Sequence, residues 1–211
     1  MSDFWQQRLD FETILCYLFA VIIRHLGGAM RTRSIQFQPG PIYHVYNRGN
    51  NRQKIFLSAE NYDFFLRRLH HYFSKSKIEL LAYCLMPNHF HLVIRLRKET
   101  DFPNVMRSFS TSYVKAFHKR YGTSGHMYQG NYQAKEFTEE AALATVIPYV
   151  HLNPWKTGLA EHPEEWPHSD CRIWCFEENP GDDPSLGFRD ATFGRPAEYF
   201  AHLEEIMNMQ K

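Results

Sequence analysis

The sequence predicts an α+β protein of the ferredoxin-like (RRM-like) kind: a four-stranded antiparallel sheet with helices packed on one face, plus extra C-terminal helices. Three observations carry that expectation. Strand-like alternation and helix-like apolar stripes follow one another in the order β-α-β-β-α-β, with a further helix after them. The two middle strands are separated only by the turn around Pro87-Asn88, which forces an antiparallel hairpin. With 44% hydrophobic and 22% charged residues, the 211-residue chain has the length and composition of one globular domain with appendages.

The elements are justified in turn. Ile42–Asn47 (IYHVYN) alternates and is rich in β-formers, so it is read as a strand. Arg48–Lys54 (RGNNRQK) is a Gly/Asn turn carrying three positive charges. Ser58 is a good N-cap, and Tyr62, Phe65, Leu66, Leu69, Tyr72 and Phe73 follow at helical spacing. Ile78–Met86 and His89–Arg97 are the hairpin strands. Asp101 with Pro103 opens a second helix to about Tyr121, and Gly122–Gly130 is a loop. Asn131–Phe137 alternates as a fourth strand. Thr138-Glu139-Glu140 caps a helix running to Leu152, which Asn153-Pro154 is expected to end. Glu177–Ser185 is read as a mobile acidic loop and Pro196–Gln210 as a C-terminal helix.

The chain divides by charge. Residues 1–29 carry net −1, residues 30–136 net +11 (17 basic against 6 acidic) and residues 137–211 net −9 (5 against 14). A basic middle rich in tyrosine suits a phosphate-backbone binder, and it suits equally a solvated basic face. The expected organisation is an N-terminal extension over 1–29, a main domain over 30–175, and an acidic loop with a helix over 176–211. Met30 is a candidate natural start. The apolar run Ile14–Ile23 is ten residues, about half of a membrane span, and acidic residues precede it; the expectation is a cytoplasmic protein with no membrane partner. Four cysteines are too few for a disulfide scaffold, and the composition excludes wholesale disorder, collagen and coiled coil.

The sharpest local feature is Pro87-Asn88-His89-Phe90-His91-Leu92-Val93-Ile94. His89 and His91 are two apart on a strand, so they share a face, roughly 6.6 Å apart along it. Phe90, Leu92 and Ile94 make the opposite face apolar, so the histidine face is expected to be the open one. Two imidazoles leave a metal site incomplete, and a third ligand must come from elsewhere. Tyr149 and Asn153 are four apart and share a helix face. A tyrosine hydroxyl and an amide oxygen aimed at two histidines would make a nucleophile-plus-metal site. Taken singly, the pair is more simply read as exposed strand histidines and Tyr149 as an ordinary amphipathic-helix tyrosine. Tyr113 and Tyr121 are alternative nucleophiles, and Cys171-x₃-Cys175 with His168 resembles half a zinc site.

Five segments together resemble one family. They are Ile42–Phe56 (IYHVYNRGNNRQKIF), Ala82–Arg95 (AYCLMPNHFHLVIR), Tyr121–Phe137 (YGTSGHMYQGNYQAKEF), Ile147–Ala160 (IPYVHLNPWKTGLA) and Trp166-Pro167-His168-Ser169. In this order they resemble the single-tyrosine HUH transposases, and more closely the REP-associated tyrosine transposases of bacteria, whose domain is IS200-like. The resemblance implies that His89 and His91 are the HUH metal pair, Asn153 the third ligand and Tyr149 the nucleophile. It implies Mg²⁺ or Mn²⁺, and single-stranded or hairpin DNA as partner. The activity implied is nicking and joining of single-stranded DNA through a 5′-phosphotyrosine intermediate, for DNA transposition and recombination. The chain would act as a monomer or homodimer. Arg48, Arg52 and Lys54 are expected to contact phosphates, and Tyr128 and Tyr132, near Lys135, to stack on bases. A second reading of the same fold is a catalytically inactive or domesticated nucleic-acid-binding protein. The sequence departs from the pattern at Pro148, where the family more often has a charged residue; a proline there removes the hydrogen bond to Ala144 and is expected to bend the helix ahead of Tyr149.

Overall fold

The structure, a computed structural model, describes residues 35–137, 140–179, 181 and 183–210. The apolar run Ile14–Ile23, the Met30 start and the Thr138-Glu139 cap lie outside these residues. The described strands are β1 (Ile42–Arg48), β2 (Ile78–Met86), β3 (His89–Leu96) and β4 (Gln133–Phe137). The helices are α1 (Ala59–Ser76), α2 (Phe102–Tyr121), α3 (Glu140–His151), α4 (Asn153–Lys156), α5 (Cys171–Phe176), α6 (Pro184–Phe193) and α7 (Pro196–Met209). The strands form one sheet in the order β2-β3-β1-β4, with every neighbouring pair antiparallel. This is the expected ferredoxin-like arrangement, and it sets β1, with its IYHVYN alternation, beside the histidine strand at the centre.

Local chemistry explains the first two helices. The Ser58 cap and the Asn61 side chain, whose Oδ1 accepts from the Leu57 and Ser58 amides, start α1, and Lys77 ends it in the left-handed conformation. Asp101 accepts from the Asn104 amide to start α2, and Gly122 at φ +63° ends it. Both helices lie on one sheet face. There Tyr43, Val45, Leu85, Phe90, Leu92 and Ile94 pack against Phe65, Leu69 and Phe73 of α1 and Phe102, Met106 and Phe109 of α2. Each fully buried phenylalanine of this cluster contributes on the order of 2 kcal/mol of transfer free energy.

The other face is covered as well, which corrects the expectation of an open histidine face. Ile42, Ala82, Cys84, Met86 and Val93 pack beneath α3 together with Trp174 of α5, Leu186 and Phe193 of α6, and Tyr199, Leu203 and Met207 of α7. His91 is only 4% exposed. The physical reason is legible in β2: Leu80, Leu81, Ala82, Tyr83, Cys84, Leu85 and Met86 are a continuous run of apolar and aromatic residues, the mark of a strand buried on both faces. A bulge between Leu80 and Ala82 turns Leu81 and Ala82 to the same side. The outer edge of β2 is closed by residues 166–170: the Leu85 amide donates to the His168 carbonyl, the Tyr83 amide to Asp170 Oδ1, and Trp166 Nε1 to the Leu85 carbonyl.

Two further expectations are corrected. Asn153-Pro154 does not end the helical path, because after Leu152 the chain makes one more turn as α4, with Lys156 donating to the Leu152 carbonyl. The acidic segment is not a loop through Ser185: Pro184 begins α6, and Asp183 accepts from the Ser185 amide as its cap. Beyond residue 176, α6 and α7 share the core beneath β1–β3.

Candidate active site

A cavity of about 570 Å³ opens at the end of the sheet where β1 ends and β3 begins. It is lined by Tyr46, Asn47 and Arg48 of β1, Arg52, Asn88, His89 and His91, the segment Gln129–Asn131 with Gln133, and Tyr149 and Asn153. Among the described residues no carboxylate lines it, and two arginines do. A polyanion entering it therefore meets the attraction of Arg48 and Arg52.

The histidines are held by their neighbours. His89 Nδ1 lies 2.6 Å from Asn88 Oδ1, and the Asn88 Nδ2 donates to the Arg52 carbonyl at 3.3 Å. An amide oxygen only accepts, so His89 donates from Nδ1, and in the neutral ring the lone pair then lies on Nε2. His91 Nδ1 lies 2.9 Å from His44 Nε2, a residue the sequence reading passed over. The period-two alternation of IYHVYN was the available signal: it puts His44 and Tyr46 on the face that holds His91. Asn88, next to His89 in the sequence, was equally within reach.

Helix α3 brings the remaining groups over the strands. The Tyr149 ring stands edge-on to His44 at 6.0 Å and to His91 at 5.8 Å. Burial, and secondarily Tyr46, raise the Tyr149 phenol above its ordinary pKa, so its hydroxyl holds its proton at neutral pH. Lys156 of α4 places its ammonium 5.3 Å from the centre of the same ring. Asn153 donates from Nδ2 to the Tyr149 carbonyl at 2.7 Å and to the Val150 carbonyl at 3.3 Å, which fixes its amide orientation and leaves Oδ1 as the acceptor. Pro148 is buried inside α3, and the helix keeps the Leu152-to-Pro148 hydrogen bond; Tyr149 lines the cavity despite the proline.

His151, between Tyr149 and Asn153 in the chain, is buried on the opposite side of α3. Tyr199 of α7 donates its hydroxyl to His151 Nδ1 at 2.6 Å, and His151 Nε2 donates to Asp170 Oδ1 at 2.9 Å. Asp170 Oδ1 also accepts from the Tyr83 amide of β2. This chain ties the cavity helix to the sheet edge and the C-terminal helix at once.

The wall at Arg48–Arg52 is a tightly turned segment. A Cβ on Gly49 would run into the Gln53 carbonyl oxygen, so only glycine fits. Asn51 and Arg52 follow in the left-handed region, at φ +49° and +59°, a strained pair that turns Arg52 to the cavity. Arg48 Nε donates to Gln129 Oε1 at 2.8 Å across the cavity mouth.

Among the described residues, no three His, Cys, Asp or Glu side chains form a metal cluster. The donor set that lines the cavity is two imidazoles and one amide oxygen. These suit a divalent cation that completes its shell with water or phosphate oxygens, and His89, His91 and Asn153 are the residues that would hold it.

The family model for IS200-like transposases matches residues 39–153. The chain belongs to the IS200-like transposase family. It is 25% identical over 123 residues to a REP-associated tyrosine transposase of Haemophilus influenzae, across 51% of this chain and 69% of that one. Its fold is similar to that of a REP-associated tyrosine transposase solved with a REP hairpin, with TM-score 0.58 and 18% identity over 67% of this chain and 82% of the other.

In this transposase-family chain the other sequence-derived candidates fall away from the cavity. Tyr113 is 1% exposed in the α1/α2 core and donates to the Ile55 carbonyl at 2.6 Å. Tyr121 bonds Asn61 on that same side. Tyr128 packs against Phe90 with its hydroxyl buried, and Tyr132 against Phe102, where burial, with Asp101, pushes its pKa up to about 12. Lys135 stands opposite His44 in β4 with its ammonium over Phe137. Lys54 is exposed and outside the lining. His168 stacks on Tyr62 at 3.5 Å, while Cys171 and Cys175 are buried together under α7, and among the described residues no cluster of three ligands includes them. No described helix is long and apolar enough to cross a membrane.

Proposed function

We propose that this chain nicks and rejoins single-stranded DNA that carries a hairpin, through covalent attachment to Tyr149. The observation that carries the reading is the convergence of Tyr149, His89, His91 and Asn153 on one cavity with Arg48 and Arg52 on its wall. Family membership and the likeness to a relative solved with a REP hairpin point the same way. A divalent cation, Mg²⁺ or Mn²⁺, held by the two imidazoles and the amide would polarise the scissile phosphate and neutralise developing charge. Tyr149 Oη attacks phosphorus, the bond to the 3′-oxygen breaks, and the phenol proton passes through solvent to that oxygen. The products are a 5′-phosphotyrosine and a free 3′-hydroxyl, and attack of a 3′-hydroxyl on the same phosphorus restores the tyrosine. Arg48 and Arg52 hold the flanking phosphates and Tyr46 walls the site.

The test is a denaturing gel of the full chain with end-labelled hairpin DNA bearing a single-stranded flank. Label should migrate with the protein in Mg²⁺ or Mn²⁺ and be absent with EDTA. DNA that binds without any adduct in either ion would favour the reading as a binding module. The wall also makes a separable prediction. Arg48→Ala with Arg52→Ala should weaken DNA binding and flatten the slope of log affinity against log salt by about 1.4, at roughly 0.7 per phosphate contact on a single strand, whereas Lys54→Ala should change it by less than half as much. Fluorescence anisotropy between 50 and 200 mM salt measures this. Equal effects of the three substitutions would move the DNA path off the cavity.

A further inference from the structure

We propose that His44 is a positioning residue that sets which ring nitrogen of His91 faces the cavity. The inference rests on the metal-site reading above and adds a residue to it.

The two ring centroids lie 5.1 Å apart with 19° between their planes, so the rings meet edge to edge, and each residue is only 4% exposed. In β1, His44 stands opposite Val93, so it is a diagonal neighbour of His91. A long side chain is needed to span that diagonal, and His44 Nε2 does so, 2.9 Å from His91 Nδ1. One of the two nitrogens must donate. If His44 donates, His91 carries its other proton on Nε2 and cannot ligate a cation. If His91 donates from Nδ1, its Nε2 holds the lone pair. His91 lines the cavity and has Nδ1 turned to His44, so Nε2, on the other side of the ring, is the nitrogen that would meet a cation there. The guanidinium groups of Arg48 and Arg52 make that space positive, which favours a lone pair facing it over an N–H.

His89 has the same arrangement with a partner whose role is unambiguous. Its Nδ1 meets the Asn88 amide oxygen, which can only accept. Each of the two imidazoles therefore has its Nδ1 occupied by a side chain outside the donor set, Asn88 for one and His44 for the other. Outer partners of this kind fix tautomer and ring orientation, and their loss commonly costs 10–100-fold in metal affinity. His44 itself does not line the cavity, so it acts through His91.

Two variants separate this role from packing. His44→Phe keeps an aromatic ring and deletes the acceptor. His44→Gln loses the ring and keeps an acceptor oxygen at about the reach of Nε2. In metal-free wild type, long-range ¹H–¹⁵N correlation of the neutral His91 ring should show the proton on Nδ1. His44→Gln should preserve that pattern, and His44→Phe should move the proton to Nε2 or mix the two forms. Mn²⁺ binding followed by electron paramagnetic resonance should weaken on the order of 10–100-fold in His44→Phe and stay near wild type in His44→Gln. Far-ultraviolet circular dichroism checks that both variants fold. A wild-type His91 protonated on Nε2, or wild-type Mn²⁺ affinity in His44→Phe, would overturn the proposal while leaving the metal reading intact. A wild-type chain that binds no Mn²⁺ would remove the metal reading and this inference with it.

Discussion

Tyr149→Phe should abolish covalent attachment to DNA, by roughly 10³-fold or more, while leaving the fold and non-covalent binding nearly unchanged. The substitution removes one oxygen. The ring keeps its edge contacts with His44 and His91 and its place beneath the Lys156 ammonium, and Asn153 is held by the Tyr149 backbone carbonyl, which the substitution leaves in place. Tyr46 is the tyrosine that makes the experiment discriminating. It lines the same cavity, stands opposite His91 in the β1–β3 ladder, and is also raised in pKa by burial. Tyr46→Phe should retain the adduct, because Tyr46 belongs to the wall. Tyr113→Phe should also retain it, at a stability cost of about 1 kcal/mol for the lost bond to Ile55. A gel in which Tyr149→Phe keeps the labelled adduct and Tyr46→Phe loses it would transfer the nucleophile to β1.

Asp170→Ala should be the most destabilising single change near the site. It leaves two buried donors, His151 Nε2 and the Tyr83 amide, without their shared acceptor. Unsatisfied buried groups cost about 1–3 kcal/mol each, so a loss of about 4 kcal/mol is expected, or roughly 10 °C in melting temperature for a domain of this size. The loss is directional. His151 sits between Tyr149 and Asn153 on the helix, so slackening its tie to β2 and α7 loosens both cavity residues. Adduct formation should therefore fall at temperatures where the variant is still folded. Tyr199→Phe removes only the donor to His151 Nδ1 and should show the same pattern at about 1 kcal/mol. Thermal melts by circular dichroism beside adduct yield at 25 °C measure both. An Asp170→Ala protein that melts within 2 °C of wild type would show that the buried network contributes little.

Pro148 shows a local rule acting within a packed environment. The proline does remove an amide donor from α3, as its chemistry requires. Its effect on Tyr149 depended on what else holds the helix. Val146, Ile147, Pro148 and Val150 are buried, and His151 is bonded to Asp170 and Tyr199, so packing on both sides of the proline keeps the following turn over the histidines.

Much of the architecture was written in local patterns. Alternation in IYHVYN, the Pro87-Asn88 hairpin, the Ser58 and Asp101 caps and the 3.6-residue stripes of α1 and α2 each act over a few residues, and together they determine the β-α-β-β-α-β order and the apolar face beneath the two helices. The pairing of His89 with His91 and of Tyr149 with Asn153 was legible for the same reason, because each pair spans a single strand pleat or helix turn. Which other side chains meet these pairs is a matter of long-range register and packing. His44 reaches His91 across 47 residues, His151 meets Tyr199 across 48, and α5–α7 close the face that the strand pattern alone left open. Those contacts depend on how far one strand is offset from the next and on which helix returns to which face. Only the folded chain decides that, since the free energy of burial is collected when distant segments come together and is not encoded in any one of them.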